Sequence, residues 1–165
     1  MNYTLSRRAF LATTAAATLV PAVPVLADGH GGAVVQMVNK HPDDKKLRNA
    51  FYPRILAVDA GTTVKFEAVD RGHNTAVIDG MLPDGGAEWK GKINADVEVT
   101  FDTPGIYGYK CTPHFASGMV GLIFVKGDGM LDNLEAAQAV KQRGKAKQVF
   151  ADLWEEAAEM GLLDT

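Results

Sequence analysis

Three kinds of side chain that bind soft metals lie within nine residues of one another, at Cys111, His114 and Met119. A second histidine, His73, lies 38 residues before the cysteine. Together they supply one thiolate, two imidazoles and one thioether, which are the donors of a blue copper electron-transfer centre. Sulfur donors suit Cu(I) and imidazoles suit Cu(II), so neither oxidation state has its ideal ligands. The spacing therefore predicts one copper ion bound at these four residues.

Each of these residues taken alone has an ordinary structural explanation. A lone cysteine is often a small buried hydrophobe, a methionine that begins an apolar strand is often a core residue, and a lone histidine is often structural. The combination of Cys-x2-His-x4-Met with an upstream histidine is far more specific. Zinc fits this set less well than copper, because thioether is not among its usual ligands.

Two other functions would use the same side chains. An enzyme would use Cys111 as a nucleophile with His114 as its base, but the loop contains no acidic residue to orient the base. Copper storage or delivery would favour several exposed sulfur side chains, whereas the chain has one Cys and six scattered Met. We therefore predict an electron carrier and no enzymatic activity.

Short segments of alternating apolar and polar residues predict strands on both sides of the metal-binding loop. Turn-forming Gly, Pro and Asp residues separate these segments, and no helical pattern lies between them. The arrangement favours an antiparallel β-sandwich. The predicted strands are residues 34–38, 54–58, 63–69, 97–101, 106–110 and 119–126.

The composition changes after Gly127 to Ala, Glu, Gln and Lys. Asp132 with Glu135 three residues later predicts a capped helix to about residue 141. Gly144 then separates it from a second helix that ends near residue 160. The second helix has an apolar stripe, which indicates packing on the sandwich rather than binding to a partner. The stripe consists of Val149, Phe150, Leu153, Trp154, Ala157 and Met160.

The first 27 residues resemble an export signal. Arg7-Arg8 lies in a setting similar to a twin-arginine signal, and an uncharged stretch then runs to a cleavage site after Ala27. A general export signal is the alternative, and a membrane anchor fits less well because Pro21 and Pro24 interrupt the apolar run. We expect a periplasmic mature chain, residues 28–165, that forms one domain with a sandwich at about 33–127 and a helical tail at about 131–161.

The length of 165 residues suits one domain, and the single cysteine excludes an intramolecular disulfide. The composition, with 47% apolar and 22% charged residues, excludes a disordered tail protein and a polytopic membrane protein. A net charge of −3 argues against nucleic-acid binding driven by overall basicity. We expect a monomer that binds neither nucleic acid nor, once the signal is removed, a membrane.

The chain resembles the cupredoxins and, among them, the pseudoazurins, over roughly residues 34–163. The matching stretches are Met37-Val38-Asn39-Lys40, Gly72-His73-Asn74, Gly80-Met81-Leu82-Pro83-Asp84-Gly85, Lys92-Ile93-Asn94, Gly108-Tyr109-Lys110-Cys111-Thr112-Pro113-His114 and Gly118-Met119-Val120-Gly121. The resemblance implies a Greek-key sandwich with two C-terminal helices and a type 1 copper site. His73, Cys111 and His114 would be the strong ligands, and Met119 the weak axial one.

The resemblance also implies partners and a docking surface. The partners would be redox proteins, with a nitrite reductase or similar enzyme as acceptor and a cytochrome or other protein as donor. Lysines would surround an apolar patch formed by His114, Phe115 and residues 81–83, the alternative being an ordinary solvated face. Phe115 and Ser117 differ from the hydroxylated aromatic residue and the methionine associated with the family's loop, which affects the potential and the contact surface. The basic residues near this end are Lys40, Arg71, Lys90, Lys92 and Lys110.

Two further expectations concern groups around metals. The backbone N–H of Asn74 is expected to reach the sulfur of Cys111, whereas Pro113 has no N–H to offer. If cleavage follows Ala27, the new amino terminus with His30 at its third position can enclose a second Cu(II) in a square plane. The alternative for His30 is an incidental histidine in a mobile terminus.

Overall fold

The computed structural model describes residues 33–164, in which eight strands come first and two helices follow. A single 3₁₀ turn, Phe115–Ser117, precedes the last strand. The strands are β1 (Ala33–Lys40), β2 (Arg48–Tyr52), β3 (Ile55–Asp59), β4 (Thr62–Glu67), β5 (Ala76–Val77), β6 (Val97–Phe101), β7 (Gly105–Lys110) and β8 (Val120–Lys126). The helices are α1 (Leu134–Ala139) and α2 (Ala146–Glu159).

The strands form two four-stranded sheets, in the orders β2-β1-β4-β6 and β3-β8-β7-β5. The prediction of a β-sandwich with two C-terminal helices is confirmed. The expectation of purely antiparallel strands is wrong, since β1 pairs parallel with β4, and β3 pairs parallel with β8. Parallel neighbours need a crossover rather than a hairpin. The chain provides one by passing from the first sheet to the second between β2 and β3.

The space between the sheets is filled largely by aromatic rings. Tyr109 of β7 lies at the centre, with its ring centroid 4.6 Å from that of Phe51 and 5.2 Å from that of Phe66. Cys111 and Met119 belong to the same buried cluster. Two of the predicted copper ligands are therefore continuous with the core that stabilises the sandwich.

The two helices cover the outer face of the second sheet. Phe150, Leu153 and Ala157 of α2 are buried in one cluster with Leu122 and Phe124 of β8. Because β8 has core on both of its faces, residues 120–125 are all buried. This packing confirms that the apolar stripe of α2 belongs to the fold. No helix among residues 33–164 has the length and apolar character needed to cross a membrane.

The start of α1 differs from the predicted capping arrangement. Its N-cap is Asn133, and no side chain caps the helix. The Asn133 amide instead accepts a hydrogen bond from the Ile106 N–H at 3.0 Å and donates one to the Ile106 carbonyl at 2.8 Å. The predicted cap by Asp132 and Glu135 is wrong, since the helix begins after Asn133 and the Asn133 side chain pairs with β7 rather than capping the helix.

Candidate metal centre

The loop between β7 and β8 holds three of the predicted ligands at one end of the sandwich. Cys111 follows β7 directly, and its N–H donates to the carbonyl of Met119, which precedes β8, at 3.0 Å. The His114 carbonyl accepts from the Met119 N–H at 3.1 Å. Gly118 has a φ of 95°, the left-handed conformation that ends the 3₁₀ turn. These contacts turn the loop back so that its two ends lie together.

His73 reaches the same place from the connection after β4. The preceding Gly72 donates its N–H to the side-chain oxygen of Asn94 at 2.6 Å, and the Asn94 N–H donates to the His73 carbonyl at 2.8 Å. The His73 side chain is completely buried. Its position is therefore set by backbone contacts on one side and by core packing on the other.

The three strong donor atoms form a close triangle. The Cys111 sulfur lies 3.5 Å from Nδ1 of His114 and 3.8 Å from Nδ1 of His73. The two Nδ1 atoms are 3.2 Å apart. Donors bound at about 2.0 to 2.3 Å from one metal ion have separations of roughly this size. The structure thus brings together His73, Cys111 and His114 as a possible metal site.

Asn39 fixes the orientation of the buried histidine, and the sequence did not reveal this role. Its side-chain oxygen lies 3.0 Å from Nε2 of His73. An amide oxygen only accepts, so Nε2 carries the proton and Nδ1 is left free for a metal. Asp70 in turn accepts the N–H of Asn39 at 2.6 Å. The available signal was the position of Asn39 near the end of β1, but its contact with His73 spans 34 residues.

The sulfur of Cys111 lies in a buried setting that changes the pKa of its thiol. Burial raises the pKa of its thiol, and the N–H groups of Asn74 and His114 act in the opposite direction. The His114 N–H itself donates to the Cys111 carbonyl at 3.2 Å, and a hydrogen bond from the Asn74 N–H to the Cys111 sulfur stays a prediction. The Asn74 amide also binds Thr112, accepting its N–H at 2.7 Å and donating to its hydroxyl at 3.1 Å.

These environments suit metal binding better than nucleophilic catalysis. The Cys111 side chain has no exposed surface, and burial raises the pKa of its thiol. The pKa of His73 is lowered, mainly by burial and then by the neighbouring His114, while Asp70 acts against the shift. A neutral imidazole keeps the lone pair that a metal requires. The donor set of thiolate, two imidazoles and thioether fits copper.

The surface around the loop agrees with only part of the predicted docking patch. His114 is half-buried, while Phe115 is buried at 8% exposure and Met81 at 1%. Pro83 contacts Gly105 at the start of β7, whereas Cys111 follows the other end of that strand. Residues 81–83 therefore do not form the predicted apolar patch, because Met81 turns inward against Gly108.

The basic residues of this end are mostly exposed. Lys110 is the half-buried one, and its ammonium lies 5.1 Å from the Phe115 ring centroid. Two apolar side chains in the segments that flank His73 are also exposed, Val69 at 51% and Ile93 at 55%. The exposed basic residues are Lys40, Arg71, Lys90 and Lys92.

Comparison with known proteins agrees with this fold and site. The sequence model for copper-binding proteins of the plastocyanin/azurin family matches residues 36–126, and the chain belongs to that family, the cupredoxins. It is 40% identical over 138 residues to the pseudoazurin of Paracoccus pantotrophus, covering 84% of this chain and 90% of the relative. The pseudoazurin of Methylorubrum extorquens is 40% identical over 147 residues, with 87% and 93% covered.

A solved structure gives the same result. The pseudoazurin of Sinorhizobium meliloti superposes with a TM-score of 0.70 at 40% identity, covering 76% of this chain and 94% of the other. Within the cupredoxins, the chain is therefore a member of the pseudoazurins. It is a blue copper electron carrier with a type 1 copper ion, and it is not an enzyme.

Proposed function

We propose that this protein carries single electrons in the periplasm, from a cytochrome or other donor to an acceptor of the nitrite reductase type. His73, Cys111 and His114 act as the strong copper ligands, and Met119 acts as the weak axial ligand. The triangle of donor atoms, all within 4.8 Å of one another, carries the proposal. The resemblance to pseudoazurins supports the choice of partners.

The side chains around the site serve this role by keeping the donors in place. Bound copper supplies the Cu(II)/Cu(I) couple. Asn39 holds the ring of His73, and the Asn74 amide holds the start of the loop at Thr112. Donors that are already in position need little rearrangement when the charge of the site changes. Rapid electron transfer in both directions follows from this fixed geometry.

The accessible edge of the site is His114. It is half-buried, whereas His73 has no exposed surface, and its neighbours Pro113 and Ala116 are exposed. We propose that electrons pass through this ring. The exposed cations nearby favour a partner with an acidic patch, and a small interface of less than about 1,200 Å² would allow quick release.

The location, the domain limits and the oligomeric state form a second part of the proposal. Arg7-Arg8 and the following apolar stretch support export by the twin-arginine route and cleavage after Ala27. The length of the remaining chain, residues 28–165, supports a single domain, which we propose to be a monomer. Residues 1–32 lie outside the described residues. The export signal and the second Cu(II) site at His30 therefore stay predictions.

Spectroscopy of the copper-loaded protein tests the core of the proposal. We expect an intense absorption band at roughly 600 nm, which arises from charge transfer between thiolate and copper. Cys111→Ala should remove this band while the protein stays folded. A parent protein without the band, or a variant that keeps it, would contradict the ligand assignment. Stopped-flow mixing with a copper nitrite reductase then tests the acceptor, and the absence of electron transfer would exclude that class.

A further inference from the structure

The connection between α1 and α2 lies directly against the turn that joins two copper ligands. Lys145, just before α2, donates its N–H to the carbonyl of Ala116 at 2.9 Å. Ala116 lies in the 3₁₀ turn between His114 and Met119. A segment near the end of the chain therefore contacts the backbone of the ligand loop.

Gly144 makes this close approach possible. Its φ is 59°, in the left-handed region that favours glycine. A Cβ added there would lie 2.4 Å from the carbonyl oxygen of Ala116 and 3.2 Å from its Cα. These are backbone atoms, so they cannot move aside without moving the turn. The absence of a side chain at Gly144 thus determines how near the turn lies to the connection.

A second close contact lies at the other end of the turn. A Cβ on Gly118 would lie 2.8 Å from Cγ2 of Val149 and 3.5 Å from Cβ of Lys145. Gly118 directly precedes Met119, and Val149 belongs to the first turns of α2. Glycines on the two facing segments therefore allow the start of α2 to pack on the whole length of the turn.

A pair of cations holds the side chain at the start of the turn. The guanidinium carbon of Arg143 lies 5.3 Å from the centroid of the Phe115 ring, and the Lys110 ammonium lies 5.1 Å from the same centroid. Both distances lie within the range of cation–π attraction. Phe115 directly follows the ligand His114. Arg143 therefore connects the interhelical segment to the residue next to a ligand.

We infer that Arg143, Gly144 and Lys145 are positioning residues for the copper site. They hold Phe115 and Ala116, and through them the segment that fixes the spacing of His114 and Met119. Because four residues separate these ligands, a displaced Ala116 carbonyl moves at least one of them. The inference rests on the proposed ligand set, and it gives the helical tail a role in setting copper affinity and reduction potential.

Gly144→Ala tests the inference, with Gly161→Ala as its matched control. Gly161 has a φ of 69°, and the nearest atom to its added Cβ is the flexible Asp164 carboxylate at 3.6 Å. Both variants place alanine in the left-handed region and carry similar backbone strain, but only the first meets Ala116. We expect Gly144→Ala to bind copper about tenfold more weakly in a chelator competition, since changes around metal ligands commonly have this size.

Three further measurements make the outcome unambiguous. Gly144→Ala should also shift the visible band and the reduction potential, whereas Gly161→Ala should match the parent protein in both, and thermal unfolding of the metal-free forms reports folding. If Gly144→Ala does not fold, Arg143→Ala becomes the deciding variant. We expect it to lose less copper affinity than Gly144→Ala, and we expect Arg143→Lys to restore the affinity of the parent protein. If the parent protein is blue and the deciding variant has the same copper affinity and spectrum as the parent, this inference is wrong and the proposed function is unaffected. A parent without the blue band overturns the proposed function.

Discussion

The two histidine ligands are held in different ways. His73 is fully buried and uses Nε2 for a hydrogen bond to Asn39, so its ring orientation is fixed by a partner from β1. His114 is half-buried and lies in a loop held by its own backbone hydrogen bonds. A buried and fixed ligand suits retention of the metal, and a partly exposed one suits contact with a partner.

Replacement of Asn39 by alanine should weaken the site without touching a ligand. The variant removes the acceptor for Nε2 of His73, and losses of this kind commonly reduce metal affinity by about 10- to 100-fold. Competition with a copper chelator measures the change. Lys40→Ala, at the neighbouring exposed position, is the control and should leave the affinity unaltered. Equal affinities in the two variants would show that Asn39 does not orient the ligand.

Met119→Gln should keep the blue colour and lower the reduction potential. An amide oxygen favours Cu(II) over Cu(I) more than a thioether does, while the thiolate responsible for the colour stays in place. Cyclic voltammetry of the parent and variant measures the difference. An unchanged potential would indicate that Met119 is only a core residue.

The metal-free protein should lose stability as the pH falls below about 6.5, the ordinary pKa of histidine. The pKa of His73 is lowered in the folded state, mainly by burial. Below the ordinary value the unfolded chain therefore binds the proton more readily, and the free energy of unfolding decreases. Urea unfolding at pH 7.5 and at pH 5.5 measures the slope. His73→Gln should flatten it, and an equally steep slope in the variant would contradict the assignment.

Residues close together in the sequence were predictable, and contacts between distant segments were not. The donor types and the spacing of Cys111, His114 and Met119 predict them as ligands. The contact of Asn39 with His73 depends on how β1 lies relative to the connection after β4. That arrangement follows from parallel pairing, which local alternation does not encode.

At the scale of the elements, a side-chain amide forms hydrogen bonds with strand backbone that the short strand β5 does not reach. Strand β5 pairs with only the last two residues of β7, Tyr109 and Lys110. Asn133 then satisfies the backbone of Ile106 further along the same strand. A sequence pattern predicted a cap at this place, because Asp, Asn and Glu near a helix start commonly serve that purpose. The contact of Asn133 with β7 forms instead of the local capping contact.

Asn133→Ala should destabilise the fold and leave the copper spectrum unchanged. The variant loses two hydrogen bonds and leaves a buried N–H and carbonyl on Ile106 without partners. Unsatisfied groups of this kind cost about 1 to 3 kcal/mol. Urea unfolding measures the loss, and the visible spectrum serves as the internal control. A stability equal to that of the parent would mean that water replaces the amide at no cost.

At the scale of the whole molecule, exposed basic residues lie at the end of the sandwich that holds the copper site. The complete chain has a net charge of −3, yet the exposed side chains around the copper end include four basic residues. The opposite end, where β8 ends, has the exposed Lys126, 4.0 Å from the Asp59 carboxylate. An acidic protein with a basic end presents that end to a negatively charged partner. The resemblance predicts basic residues near this end, and the fold shows which of them are exposed.

Reversal of charge at the copper end should slow electron transfer to an acidic partner. Lys40, Arg71 and Lys92 are exposed and lie in segments that contact or flank His73, so their replacement by Glu changes the approach without removing a ligand. Lys110 is left intact because it packs on Phe115. Stopped-flow mixing at low salt should show a lower second-order rate for the triple variant. The difference should shrink at about 0.5 M salt, where charges are screened.

Lys126→Glu, at the far end, is the control and should keep the parent's rate. Equal rates for the triple variant and the parent at low salt, with both proteins blue, would place the docking surface on another face.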